Sequence, residues 1–337
     1  MLQVKNNSPF SPAISLFPNQ YGIDTLYVII KATFTLQSGY SLKIADDQIA
    51  PFKEDEFWGD PIDSSLKQAS DYHIGKQATD VILLGSAWAP DGLATNRIDV
   101  GLMVAEKQKM LAVFGDRFWD NGKITEATAF NSMPLVYELA YGGKYIVPDD
   151  AEKILIDERN PVGRGFRGEL KDSEVDGLQL PNIEDPNNLI QNMDDVVDPA
   201  GFAQIAPSWL PRRNYAGTYD EQWIQKRAPY LPEDFDVRFL NNAHPDWIFD
   251  RFLQGGEPVK VHNMCQNGAL DFLLPVCRLT NKVKIKGNIE EPPLNLETVV
   301  IEPDEERLSL VWRSEIQCDK KTLDVEEVEI DLRELHV

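Results

Sequence analysis

Few residues of this chain stand at spacings that do chemistry by themselves. Among four histidines and three cysteines, only His262-Asn-Met-Cys265 brings metal-ligand types to ligand-like spacing. Zinc takes about four such groups, and no second cluster stands at finger spacing, so neither a metal nor a cofactor is expected. His73 and His244 read as packing or turn residues. Nucleophilic catalysis finds no Gly-x-Ser-x-Gly elbow, and no cysteine has a recognisable catalytic context. Asp234 and Asp236 are carboxylates of the kind that do acid–base work in a cleft. A chain with 55 acidic residues offers many such pairs. These two more simply hydrogen-bond loop backbones or pair with Arg212, Arg213 or Arg238. No catalytic role is expected. Asn160-Pro-Val-Gly-Arg-Gly165 has glycines enough for an anion-binding nest of backbone N–H groups. It lacks the Gly-x-x-x-x-Gly-Lys pattern of a phosphate loop and reads as a tight structural turn.

What remains is a stretch rich in aromatics and arginine, Pro199 to Glu257. Trp209, Arg212, Arg213, Tyr215, Tyr219, Trp223, Arg238 and Trp247 are types that anchor protein interfaces, and equally types that fill cores. Trp223 and Trp247 fall on apolar helix faces and read as core; Arg212, Arg213 and Tyr219 read as contact residues. Thr218-Tyr-Asp-Glu221 fits a capping box opening a helix over 219–227, which Pro229 ends. A second helix is expected from Pro245, with Asp246 at its positive end and a stop before Gly255-Gly256. Leu231-Pro-Glu-Asp-Phe-Asp-Val-Arg-Phe239 between them suits a buried or contact-making loop.

The elements that position this stretch read as β. Leu26, Val28, Ile30, Ala32, Phe34 and Leu36 share one face of a period-2 strand over 23–36, and the opposite face is partly solvated or meets another layer. Residues 79–88 are a nearly continuous apolar run with Gly85 as a possible bulge. Residues 97–105 alternate and turn back through 106–109 into 110–114 as a hairpin. Further hairpins are expected for 258–263 with 269–274, and for 298–302 with 307–313. Residues 323–332 alternate with one slip near Glu326-Glu327. The chain therefore reads as mainly β. Two antiparallel, sandwich-like regions, 1–143 and 258–337, flank a loop-rich middle, 144–257, and the whole can pack as one domain. From 144 to 198 the pattern gives way to ordered loops, with a disordered tip near Lys171–Gly177.

The net charge is −22, from 33 basic and 55 acidic residues. Residues 149–198 carry −9 of it and residues 290–337 carry −10. Such a field repels nucleic acid and anionic lipid and steers a basic partner; solubility alone is the other use of it. No apolar run approaches the roughly 20 residues of a membrane helix. The N-terminus lacks a secretory pattern, and the odd cysteine count favours a reducing compartment, so a cytoplasmic place is expected.

Several pieces, in order along nearly the whole chain, carry a resemblance. They are Lys76-Gln-Ala-Thr-Asp80, Gly115-Asp-Arg117 with Trp119, Pro134-Leu-Val-Tyr-Glu138 followed by Gly142-Gly143, Asn160–Gly165 and Leu180-Pro-Asn-Ile-Glu-Asp-Pro186. Pro199-Ala-Gly-Phe202, Ala216-Gly-Thr-Tyr-Asp220 with Trp223, Leu231–Asp236, Gly255-Gly-Glu257 and Ile301-Glu-Pro-Asp304 with Trp312-Arg313 follow. Together the chain resembles a bacterial family of uncharacterised-domain proteins encoded beside PAAR and VgrG spike proteins in type VI secretion clusters. The resemblance implies a non-catalytic adaptor or chaperone. It would bind a cognate secreted effector near an N-terminal or PAAR-linked segment and help load it onto the VgrG spike. Arg212, Arg213, Tyr215, Tyr219, Asp234, Asp236, Arg238 and, in the Asn160–Gly165 motif, Arg164 are the candidate partner-binding residues. Two readings stay open beside this one: an acidic immunity protein masking a basic toxin, and an enzyme or carbohydrate-binding β-sandwich.

Overall fold

The computed structural model describes residues 2–36, 42–148, 150, 152–266, 268–318 and 322–337. In chain order its main strands begin with β1 (Gln3–Asn7), β2 (Ser11–Pro18), β3 (Asp24–Leu36), β4 (Asp80–Leu83), β5 (Arg97–Val104), β6 (Lys107–Phe114) and β7 (Ile183–Glu184). They continue with β8 (Pro258–His262), β9 (Ala269–Leu273), β10 (Val276–Ile285), β11 (Asn288–Glu290), β12 (Asn295–Glu302), β13 (Arg307–Gln317) and β14 (Val325–His336). Among the described residues the one α-helix is α1 (Glu221–Lys226). The fold is mainly β.

A six-stranded sheet in the order β2-β3-β13-β12-β4 organises the rest, with Leu42–Ile44 pairing beside β3. β3 and β13 run antiparallel with Ile30 opposite Trp312 and Tyr27 opposite Glu315. One face of this pair carries Leu26, Val28, Ile30, Leu310 and Trp312, all buried. It meets a four-stranded sheet, β1-β14-β10-β11, where the Asn281 amide donates to the Ser314 hydroxyl at 2.9 Å. Phe10 closes the seam, edge-on to Phe34 and stacked near Trp312. The opposite face, with Tyr27, Ile29, Lys31 and Arg313, is buried as well, under loops rather than water. Burying each large aliphatic side chain on these faces contributes about 1.5–3 kcal/mol, so β3 is the most committed strand in the chain.

A five-stranded sheet, β7-β6-β5-β8-β9, turns the buried faces of Val100, Leu102, Val259 and Val261 into the same core. The β5–β6 hairpin turns at Ala105-Glu106, tighter than the four residues expected, with Ala105 at φ 53°. The slip expected near Glu326-Glu327 is a bulge, where Lys284 faces Glu327 and Ile285 faces Val325.

Strands from 1–143 and 258–337 share all three large sheets, so the two terminal regions interleave. Among the main strands two pairings are parallel where antiparallel sheet was expected: β4 with β12, and β1 with β14. The run 79–88 divides into β4 and a separate strand, Ser86–Trp88, that pairs with Ser132–Pro134.

The helix expected from Pro245 is only a 3₁₀ turn, Pro245–Trp247. The chain beyond it is drawn out along the sheet: Phe249 N donates to Thr79 O at 2.9 Å, and Ile248 and Leu253 bridge Asp80 and Leu296. Unpaired donors at a sheet edge attract such a segment more strongly than one apolar helical face does. The tip expected to be disordered is ordered. Asp172–Glu174 form a 3₁₀ turn, and Val175 is fully buried with Trp119, Tyr141 and Leu180 in a second small core.

Candidate protein-binding site

Three exposed apolar side chains, Tyr21, Tyr219 and Ile224, gather where two loops cover the polar face of the β3–β13 pair. The tip between β2 and β3 is folded by Asn19, whose side-chain oxygen accepts from Tyr21 N at 2.9 Å and Ile23 N at 3.1 Å. Gly22 takes φ 79°, which lets the chain reverse and leaves Tyr21 standing out, 68% exposed.

Against this tip lies the arch 215–240. Asp234 accepts from Thr218 N at 2.9 Å and from the Thr218 hydroxyl at 2.7 Å. The capping box expected at Thr218–Glu221 is therefore not formed. Asp220 caps α1 instead, accepting from Trp223 N at 2.8 Å. Trp223 is partly exposed, not core; its indole N–H donates to Tyr230 O at 2.8 Å, and Tyr219 packs edge-on to it at 4.8 Å. Arg227 joins arch to tip, donating to Leu231 O at 2.8 Å and to Gln20 O at 2.6 Å.

Three clefts surround the tip. An aromatic one of about 370 Å³ is lined by Phe17, Tyr219, Tyr230, Leu231, Phe235 and Phe239, among others. A polar one of about 440 Å³ is walled by Gln20, Gly75, Asn295, Glu297, Arg313 and Glu315, among others. Asn19 and Ile74 line both. A third, about 330 Å³, runs past Gln20, Tyr21, Arg227 and Glu233 to Phe235, which it shares with the aromatic cleft.

Beneath the polar cleft the charges are paired and buried. Glu297 accepts from Arg313 Nε at 2.8 Å and from Lys76 N at 2.8 Å. The Lys76 ammonium donates to Asp80 at 2.6 Å and to the Thr298 hydroxyl at 2.9 Å. Arg313 also donates to Asp71 O, and Lys31 pairs with Asp71 at 3.0 Å. Burial, and then the Arg313 charge, hold His73 well below the usual histidine range, so its ring stays neutral. Glu315 differs. Among the described residues its carboxylate has no hydrogen bond or ion pair; although the residue as a whole is exposed, partial desolvation against the cleft wall, followed by the Glu297 charge, pushes its pKa above the ordinary carboxylate value.

The structure sorts the expected site residues. Tyr219, Asp234 and Asp236 belong to the arch; Asp236 pairs with Arg238 at 2.5 Å, and Arg238 lies over the Tyr215 ring at 4.3 Å. Tyr215 and Arg238 line a separate small pocket of about 120 Å³. Arg212 is not a contact residue: it is buried, donates to Phe239 O and Ile205 O at 2.8 Å each, and burial lowers its pKa to about 10. Arg213 is exposed and pairs with Glu158 at 2.9 Å. Arg164 is spent internally, on Glu138 O at 3.0 Å and the Asn182 side chain at 2.9 Å. Its motif is a structural turn in which buried Asn160 donates to Tyr137 O and Tyr141 O. A side chain on Gly142 would stand 2.2 Å from Asn160 O, so that turn demands glycine. Trp247 is core, as expected. Sequence reasoning missed Phe17, Tyr21 and Glu315. The turn Pro18-Asn-Gln-Tyr-Gly22 was the signal for the tip, but nothing local marks Glu315.

Among the described residues no group of histidine, cysteine and carboxylates is arranged to hold a metal ion, and no helix is long and apolar enough to cross a membrane. The fold and site define a mainly β protein with an aromatic arch beside partly anionic clefts. The bacterial family described as "Uncharacterized protein conserved in bacteria (DUF2169)" matches residues 21–313, and the chain belongs to it. Comparison with curated proteins gives no match, and comparison with solved structures gives none.

Proposed function

We propose that this protein is a non-catalytic adaptor that holds a secreted effector in the cytoplasm and helps load it onto a VgrG spike, near a PAAR-linked or N-terminal segment. One observation supports the binding role above others. The arch and the β2–β3 tip leave Tyr21, Tyr219 and Ile224 more than half exposed beside three joined clefts, an apolar surface of the kind that partners cover. The secretion role rests on the ordered sequence pieces above. Co-expression with the effector encoded beside it, whole and cut into spike-linked and toxic parts, tests the reading. Capture of the spike-linked part is the expected result. Capture of the toxic part alone makes the protein an immunity factor, and capture of neither overturns both roles.

A further inference from the structure

We propose that the joined clefts receive one extended peptide segment of a partner protein. An apolar or aromatic side chain of that segment fills the aromatic cleft, while a lysine or arginine a few residues away pairs with Glu315. This rests on the protein-binding reading and specifies its ligand.

The apolar end follows from the lining. Phe17, Leu231, Phe235 and Phe239 face a space of about 370 Å³, and Tyr219 and Tyr230 at its rim are 54% and 41% exposed. Rigid aromatic walls of this kind accept a large side chain at small cost in ordering. The basic end follows from charge. In the polar cleft Lys76 pairs with Asp80 and Arg313 with Glu297, so Glu315 is left as the carboxylate without a counterion. Gly75 keeps the ground between the two glutamates open: a side chain there would stand 3.3 Å from Glu297 Oε1 and 3.8 Å from Glu315 Oε2. Glu233 and Arg227 line the third cleft and offset one another, so the basic side chain is assigned to Glu315 alone. A second copy of this chain is a poor occupant, since each carries −22.

A display library of random short peptides panned on the full chain tests this, with Glu315→Lys and Tyr219→Ala as variants. Both positions are exposed, and unchanged thermal unfolding confirms their fold. Wild type should enrich peptides with an apolar residue close to lysine or arginine. Tyr219→Ala should weaken them about tenfold, and Glu315→Lys should do the same while enriching acidic residues at the basic position. No enriched pattern, or one that both variants bind as well as wild type, overturns the proposal. An enriched pattern with no capture of either effector part supports the clefts and removes the loading role. Capture of the spike-linked part undiminished by both variants keeps the loading role and removes the clefts as its seat.

Discussion

Asp80 is a buried charge on which several partners depend. Its carboxylate accepts from Lys76 Nζ at 2.6 Å, Asn241 Nδ2 at 2.8 Å and Asn242 N at 2.8 Å, with no exposure. Asp80→Ala strands a buried ammonium and two amide donors, and a loss of about 3–5 kcal/mol in chemical denaturation is expected. Replacing Lys76 with Met in the same chain should recover part of that loss; no recovery would mean the charge is not the cause. His244 is a second buried titratable residue. Its Nδ1 accepts from Asp246 N at 3.2 Å, which leaves Nε2 to donate to Pro199 O at 3.3 Å. Burial first, and then Lys109, lower its pKa from 6.5 to about 4, against the opposing pull of Asp246 and Asp198. The folded state thus binds fewer protons than the unfolded chain between those values, so the contribution is full above pH 6.5 and lost as pH falls towards 4. Wild type should lose about 2–3 kcal/mol more than His244→Asn on acidification across that window. Parallel losses in denaturant titrations would sink the assignment.

At the scale of elements, α1 depends on its cap and little else, since it buries no residue. Asp220→Ala should cost about 1 kcal/mol locally. Amide exchange should quicken over 217–227 while the melting temperature barely moves; a large fall in melting temperature would place the arch in the cooperative core. The strands were legible because alternation survives burial on one face, and even the slip near Glu326 could be read from its displaced valines. The caps and short helices were not. Thr218 had a local partner at Glu221, but Asp234, 16 residues on, holds it instead. Such competition is settled by the fold, and the four-residue capping pattern does not reach as far as Asp234. The candidate site was legible only in part: Tyr219, Asp234 and Asp236 lie in the arch, whereas Arg212 and Arg164 have the same side chain as any surface arginine until their carbonyl partners appear.

For the whole molecule, charge and topology each carry a consequence. With a net charge of −22, association with a basic partner should slow as salt rises, because screening shortens the reach of the field. A rate independent of ionic strength in stopped-flow mixing would mean that contact alone guides the encounter. Because β2, β3 and β4 share their sheet with β12 and β13, residues 1–143 produced alone should show no cooperative unfolding; a sharp transition would mark an independent domain. Period-2 alternation names strands but never their neighbours, so this interleaving could not be read from the sequence.

The position of β13 between β3 and β12 also sets a timetable. β3 is apolar on one face and mostly polar, though buried, on the other, and its partner β13 is complete only once residue 317 has been added. Translation at about 5–20 residues per second makes that wait on the order of tens of seconds. Throughout it the edge of β3 that β13 will cover is unpaired. The protein that is proposed to shelter another therefore passes its own synthesis needing shelter, and its yield in cells should depend on trigger-factor-like holding before its affinity for any partner matters.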